Sequence, residues 1–331
     1  MNESVIKTSF LRFKKNMSSY IAVGILCGLF LILVASLSFI DELVFLLAIP
    51  LLALPVLFAS HISCYLLEAQ EPITMGAFFR YLTSFFRPQF RGSFRAIISF
   101  LISLLIYFGL AVISYIVMFA IFKAHYGQPF IDATNNLLEQ YMKGITYEEL
   151  LVILKDNDGI LLTFMSFVSA LPLPASIVTF IVLISYNSIS LYYRANITSG
   201  APSLLRLGIA NAYRTNRKAM IKDWLKINWW LIVLPIIGCA SAGAICVFAT
   251  KTYTLLPAFV TVGAFILLVF FLPFYFPNME VLYHRYEESF KEGNKKAIEI
   301  FLERIQNSIE LSEEERKKLE ESFNDDSEKK E

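Results

Sequence analysis

The chain has 331 residues, of which 56% are apolar and 17% are charged, with a formal net charge of +1 and a mean hydropathy of +0.58. Soluble domains carry roughly a quarter of their residues as charged side chains, and here the charges fall in a few stretches separated by long uncharged runs. The segregation of charge argues against a soluble domain and predicts a membrane protein.

Six of the uncharged runs are long enough to cross a bilayer, which requires about 20 predominantly apolar residues per helix. These runs are apolar on every face, whereas the strands of a membrane barrel alternate between apolar and polar residues. We predict an all-α fold, a polytopic transmembrane bundle of six spans that forms one membrane domain over residues 1–281. The predicted spans are residues 17–40, 43–67, 96–122, 160–190, 227–250 and 252–279.

Basic residues alternate from loop to loop. They are concentrated before span 1, between spans 2 and 3 and between spans 4 and 5, and the other three loops contain only Lys123, Lys143, Lys155 and Lys251. Lys and Arg near span ends favour the cytoplasmic side. We therefore expect both termini in the cytoplasm (N-in/C-in).

Span 1 contains Gly24-x-x-x-Gly28, a spacing that allows another helix to approach closely. Span 2 contains His61, the one clear ionisable side chain at membrane depth, which makes it a candidate intramembrane polar site. A proton relay would need an acidic partner in another predicted span, and none is found. We interpret His61 as a neutral side chain that is hydrogen-bonded between helices; the alternative is a pH-sensitive or substrate-contacting residue.

The segment before span 3 combines aromatic and basic residues at a spacing of four. On a helix, such a spacing gives two adjacent stripes, one aromatic and one basic. The stripes consist of Phe86, Phe90 and Phe94, and of Arg87, Arg91 and Arg95. A helix of this kind suits the headgroup layer, with its rings buried and its guanidinium groups on anionic lipid phosphates. A docking surface for a cytoplasmic partner is the alternative.

Residues 123–158 form the long connection between spans 3 and 4, and we predict that they form an outer helical cap. The first predicted helix runs from about Asp132 to Gly144, with an apolar face that includes Leu137, Leu138 and Tyr141. A second helix is predicted to begin at the capping box Thr146-x-x-Glu149.

Prolines interrupt several spans, most clearly Pro50 and Pro55 in span 2 and Pro172 and Pro174 in span 4. Each interior proline frees a backbone carbonyl and bends the helix, and paired broken spans can mark a transport site. Small residues around Gly238 in span 5 predict close helix packing, by default within the bundle.

Residues 282–331 differ sharply in composition and form a charged, helical, cytoplasmic tail. We predict one amphipathic helix over residues 283–309, a second helix from Ser312, and a disordered end from Asn324.

The sequence contains no P-loop, no G-x-S-x-G and no H-E-x-x-H motif, and its three histidines are far apart in sequence. Its four cysteines all lie within predicted spans without C-x-x-C spacing. We predict no catalytic residues, no metal site, no cofactor and no binding to nucleic acid.

The stretch Ala77-Phe-Phe-Arg80, Phe85-Phe-Arg87 and Phe90-Arg-Gly-Ser-Phe94, with the small residues after Pro55, resembles the YesL-like family of six-helix bacterial integral membrane proteins. The resemblance covers about a third of the chain. It implies a multi-pass protein of the bacterial plasma membrane, often beside carbohydrate-uptake systems, with no established activity. The long outer connection and the charged tail depart from the family pattern.

These features favour a non-enzymatic accessory or scaffold component of a transport or envelope complex in the bacterial plasma membrane. The expected partners are the lipid bilayer, anionic headgroups at the inner surface, and other membrane proteins. The alternative is a transporter or permease subunit for a neutral or lipid-like solute, suggested by the broken spans.

Overall fold

The computed structural model describes residues 5–67, 86–144, 152, 159–196, 202–250 and 253–328. Within these ranges, side chains are described except at residues 62, 65–67, 86–97, 190–208, 250, 305 and 307–328. Within this part of the chain every regular element is a helix. The α-helices are α1 (Val5–Lys15), α2 (Met17–Ser36), α3 (Glu42–Ala48), α4 (Leu54–Leu67), α5 (Phe86–Tyr126), α6 (Gln128–Met142), α7 (Ile160–Ala170), α8 (Leu173–Asn196), α9 (Pro202–Asn228), α10 (Trp230–Ile245) and α11 (Leu256–Glu328).

Six helical segments in the described residues are long and apolar enough to cross a membrane, so the predicted all-α bundle of six spans is confirmed. Two of the segments are composite, since span 2 consists of α3, a π-helical segment at Ile49–Ala53 and α4, and span 4 consists of α7 and α8.

We refer to the end of the bundle where α1 and α9 lie against α11 as the tail end. The opposite end, with Asp41 and α6, is the cap end.

The last helix, α11, is the axis of the fold. It continues for 73 residues from the cap end, through the bundle and beyond the tail end. The structure differs here from the sequence prediction of a separate helix from Ser312, because the backbone is one continuous helix through that point; the disordered end from Asn324 stays a prediction. The physical reason is that no proline follows Pro277 and the charged segment is rich in Glu and Lys, which are strong helix formers.

Glycines allow α2 to lie directly against α11. A Cβ at Gly24 would be 2.7 Å from the Pro273 ring, and a Cβ at Gly28 would be 2.7 Å from a methyl group of Val269. Any larger residue would push the two helices apart. The predicted close approach at Gly24 and Gly28 is confirmed, and its partner is the last span.

The first cap helix, α6, is held by an aromatic cluster. Phe130 is fully buried and packs against Phe122 of α5 and Phe164 of α7, with ring centroids 5.6 and 5.2 Å away. The helix begins at Gln128, before the predicted start, because Gly127 turns the chain with φ of +62° and Pro129 suits a first helical turn.

The packed face of α6 agrees with the prediction only in part. Leu137 packs against the aromatic cluster as expected, whereas Leu138 and Tyr141 are 58% and 71% exposed and point away from the bundle. Near the end of the helix, the Lys143 ammonium donates a hydrogen bond of 2.7 Å to Glu139, which lowers the pKa of that carboxyl. The predicted second cap helix from Thr146 lies outside the described residues.

Candidate functional site

A large cavity lies inside the bundle, between the membrane-spanning helices. Its volume is about 460 Å³, and side chains from all six spans line it. At the cap end it reaches Ser38 and Glu42, and toward the tail end it reaches Ser185 and Tyr275. We call this space the central cavity.

The two spans that prolines interrupt meet at this cavity. In span 2, Ile49, Ala53 and Leu57 line it from the π-helical segment and the first turns of α4. In span 4, Ser169 and Leu173 line it from either side of the break between α7 and α8. A π segment or a break frees backbone groups and bends the helix locally. The helix interruptions predicted from sequence therefore surround one space, which leaves the centre of the bundle open instead of close-packed.

Several polar groups of the cavity lie on the wall formed by α5, α7 and α8, and these groups bond one another. The Ser103 hydroxyl lies 3.0 Å from the Ser176 hydroxyl, and each also lies within about 3 Å of the other's backbone carbonyl. One turn away, Tyr107 donates a hydrogen bond of 3.3 Å to the carbonyl of Ser169. Because the neighbouring helix already satisfies these hydroxyls, the surface offered to a ligand is mostly apolar.

Helix α5 itself is only loosely embedded. In the most apolar stretch of this span, 6% of the residues are buried, against 50% in the corresponding stretch of the last span. Beyond the serine pair, the amide of Asn187 donates a hydrogen bond of 3.1 Å to Ser99. Among the described residues, few side chains of this span are therefore buried inside the bundle.

His61 lies beside the cavity without lining it. Its side chain is fully buried, and its Nε2 is 3.2 Å from the hydroxyl of Tyr275. The ring also makes edge contacts with Tyr275 and Phe276, at centroid distances of 5.0 and 5.2 Å. The expected hydrogen bond between helices is confirmed. Tyr275 connects His61 to the cavity, since it forms part of the lining.

A second group of buried polar side chains lies at the tail end, and the sequence analysis did not identify it. Glu280 is fully buried on α11; it accepts a hydrogen bond of 2.8 Å from Tyr20 of α2 and lies 3.4 Å from the guanidinium of Arg12 on α1. Two residues earlier, Asn278 accepts a hydrogen bond from Ser9 of α1 and donates one of 3.1 Å to Asn228. This group, the Glu280 network, joins α1, α2, α9 and α11.

Glu280 was not predicted as a buried residue, because predicted span 6 ends at Met279 and Glu280 is the first acidic residue after it. A signal was nevertheless present. Phe276 lies four residues before Glu280 and Tyr283 three residues after it, and this spacing places all three on one face of a helix. Both aromatic side chains are fully buried, so the apolar face of α11 continues past the point where charge begins.

The six residues of the predicted aromatic and basic stripes belong to α5. Phe86, Phe90, Phe94, Arg87, Arg91 and Arg95 lie on its first three turns, and the helix continues without interruption into span 3. The segment is therefore an extension of the spanning helix and not a separate helix. Its side chains lie outside the described residues, so their lipid or partner contacts stay a prediction.

No cluster of three or more His, Cys, Asp or Glu side chains that could hold a metal ion is found among the described residues. No family model, no curated protein and no solved structure matches this chain. The resemblance to the YesL-like family accordingly stays a prediction.

Proposed function

We propose that this integral membrane protein binds a lipid-like or other neutral apolar molecule in the central cavity, as a transporter or permease subunit would. The observation that carries the proposal is that the interruptions of spans 2 and 4 line one shared cavity of about 460 Å³. Ligand pockets are usually apolar spaces of about 300–1,000 Å³ with a few polar groups. The only charged lining residue among those described is Glu42, at the cap-end mouth.

The weak attachment of α5 provides a route of entry. In a bilayer, helices are held by packing and by hydrogen bonds that contribute about 0.6 kcal/mol each, since lipid tails are as apolar as the helices themselves. The contacts of α5 with α8 include the Ser103–Ser176 pair and the Asn187–Ser99 bond. The loss of these hydrogen bonds costs little free energy. Separation of α5 from α8 would open a lateral path from the lipid acyl chains to the cavity.

Leu31→Trp should abolish binding in the cavity. Leu31 lines the cavity from α2, and the larger indole would occupy the space that a ligand needs. The probe is a medium-chain alcohol carrying a diazirine, crosslinked by light in detergent and located by peptide mass spectrometry. We expect labelling of the cavity-lining part of α8 to fall about fivefold or more, the equivalent of about 1 kcal/mol of binding free energy.

Leu33→Trp is the matched control for that experiment. Leu33 is two residues further along α2 and is 62% exposed, so its indole would point away from the cavity. Labelling of α8 should equal that of the wild type. Equal labelling in the Leu31→Trp variant, or adducts confined to the outer faces of the helices, would remove the support for a cavity ligand.

An accessory role remains the second candidate, because α11 presents unpaired apolar surface beyond the bundle. Ile298, Phe301 and Leu302 are 40%, 45% and 53% exposed, whereas Ala297, one turn before Phe301, is still buried. Exposed apolar clusters of this kind often mark protein contacts.

A photo-crosslinking amino acid at Phe301, activated in intact membranes, should give an adduct with a second protein, and the same substitution at exposed Glu292 should not. The absence of any adduct at Phe301 would argue against this role.

The same proposal places both termini in the cytoplasm and the protein in the bacterial plasma membrane. The distribution of Lys and Arg between loops supports the orientation, and the YesL-like resemblance supports the compartment. The proposal includes no catalytic step.

A further inference from the structure

A second, smaller pocket lies at the tail end, where α1 crosses the junction of α9 and α10. Its volume is about 220 Å³. Residues of three helices and the residue between α9 and α10 surround it, among them Ser9 and Phe10 of α1, Lys226 of α9, Trp229 at the α9–α10 junction, and Phe274 and Asn278 of α11. We call it the junction pocket; it shares no lining residue with the central cavity.

The position of the pocket along the chain places it at the surface of the bilayer. Helix α9 is rich in Lys and Arg up to Lys226, and α10 is uncharged from Trp230 onward. Trp229, between them, is 59% exposed. Tryptophan at the boundary between a basic and an apolar segment is typical of the headgroup level of a membrane.

The chemistry of the pocket has two parts. Exposed rings of Phe10 and Trp229 and the half-buried ring of Phe274 offer an apolar rim. The Lys226 ammonium supplies a positive charge, with its side chain 56% exposed and 4.0 Å from the carboxylate of Asp223. The oxygen near Lys226 is Oδ1. The other oxygen, Oδ2, lies 3.0 Å from Arg285 and accepts a hydrogen bond of 2.9 Å from Tyr286, so other groups also balance the charge of this carboxylate.

The floor of the pocket is polar and is held in place. Ser9 and Asn278 are both buried, and the Ser9 hydroxyl donates its proton to the Asn278 side chain. The Asn278 amide in turn donates to Asn228 over 3.1 Å. The Ser9 oxygen keeps lone pairs that can accept a hydrogen bond from a ligand hydroxyl.

We propose that the junction pocket binds the headgroup of an anionic glycerophospholipid. The phosphate lies against Lys226, a headgroup hydroxyl donates to Ser9, and the acyl chains run along Trp229 and Phe274 toward the membrane interior. Exposed Lys14, Lys15 and Lys222 at the same end of the molecule add a positive field that attracts anionic lipid. The site is independent of the central cavity, so either can be present without the other.

Quenching of tryptophan fluorescence by brominated lipid tests the proposal on the full-length protein. All three tryptophans, Trp224, Trp229 and Trp230, lie near this end, and Trp229 lines the pocket. The protein is placed in nanodiscs of fixed phosphatidylglycerol and phosphatidylcholine content, with bromine on one lipid or on the other. One cation at the membrane surface enriches an anionic lipid by about fivefold, so brominated phosphatidylglycerol should quench more strongly at equal bromine content. Trp229→Phe should remove that excess.

Lys226→Gln should abolish the excess quenching, and Lys222→Gln, which weakens only the surrounding positive field, should keep most of it. Lys222 is an exposed lysine one turn earlier on α9 that does not line the pocket, so the second variant removes the same charge from the same helix. Equal losses in the two variants, or equal quenching by both lipids in the wild type, would overturn the site. Loss of the excess on addition of inorganic phosphate, at a concentration matched to the lipid, would overturn the lipid as its ligand.

Discussion

Gly238→Ala is expected to lower the free energy of unfolding by about 3 kcal/mol, the upper end of the usual cost of overpacking. Gly238 is where α10 lies against α11. A Cβ there would be 1.9 Å from the carbonyl oxygen of Gly263 and 2.8 Å from its carbonyl carbon. Both are backbone atoms, so no side chain can rotate away, and the two helices must separate.

The contact is reciprocal. A Cβ at Gly263 would be 2.5 Å from the carbonyl oxygen of Gly238 and 2.4 Å from the Cβ of Ala242. Sequence analysis identified the small-residue stretch around Gly238, and contact within the bundle is confirmed. Unfolding free energies in detergent, measured by denaturant titration with far-UV circular dichroism, should show the loss directly.

Two glycines provide controls for this prediction. Gly243 is on the same helix, and a Cβ there would be 3.6 Å from Val260, an ordinary contact. A Cβ at Gly109 of α5 would have no atom within 4 Å. Alanine is favoured over glycine in a helix by about 1 kcal/mol, so both alanine variants should be neutral or slightly more stable. If Gly238→Ala unfolded at the same denaturant concentration as these two, the close contact would not contribute to stability.

The sequence was sufficient to predict which stretches form helices and where small residues allow contact, because both follow from local patterns. It could not predict the partners. Gly24 and Gly28 meet Pro273 and Val269, which lie about 240 residues further along the chain. Every span presents an apolar surface, so hydropathy does not distinguish one helix from another as a neighbour.

The central cavity was only partly predictable for the same reason. Pro50 and Pro172 identify the interrupted spans, but a proline does not indicate whether a neighbouring helix fills the gap it creates. The position of α1 was also unpredictable. Its sequence contains exposed Phe10 and exposed Lys14, typical of a membrane-surface segment, whereas its other face, with Val5 and Phe13, is buried against the bundle.

Glu280→Ala is expected to have the other large effect, with a loss of about 3 kcal/mol in the free energy of unfolding. The removal of one partner from a buried ion pair costs about 3–5 kcal/mol, because the other charge is left uncompensated. The lower value applies here, since the Arg12 side chain is 19% exposed and retains some contact with water. Glu288→Ala is the control, because Glu288 is exposed on the same helix and should be replaceable at almost no cost.

Glu280→Gln separates the charge from the hydrogen bond. The amide oxygen of glutamine can still accept the hydrogen bond of Tyr20. The decrease in the free energy of unfolding should therefore be about half of that in Glu280→Ala. Combination with Arg12→Met should then cost less than the sum of the two single changes, because the buried cation is removed together with its counter-charge. Strict additivity of the two variants would show that Arg12 and Glu280 do not interact.

The Glu280 network also predicts where the fold should open first. Helix α1 is held by Arg12 on Glu280 and by Ser9 on Asn278, and both contacts reach α11. When the carboxylate is lost, α1 should detach from the bundle before the spans separate, because the spans are held by their own packing. Trypsin cleavage after Lys14 and Lys15 should therefore become several-fold faster in Glu280→Ala than in Glu288→Ala, under conditions where both variants keep their helical circular dichroism. An equal cleavage rate in the two variants would mean that packing at Val5 and Phe13 holds α1, and that the buried carboxylate stabilises only the contact between α2 and α11.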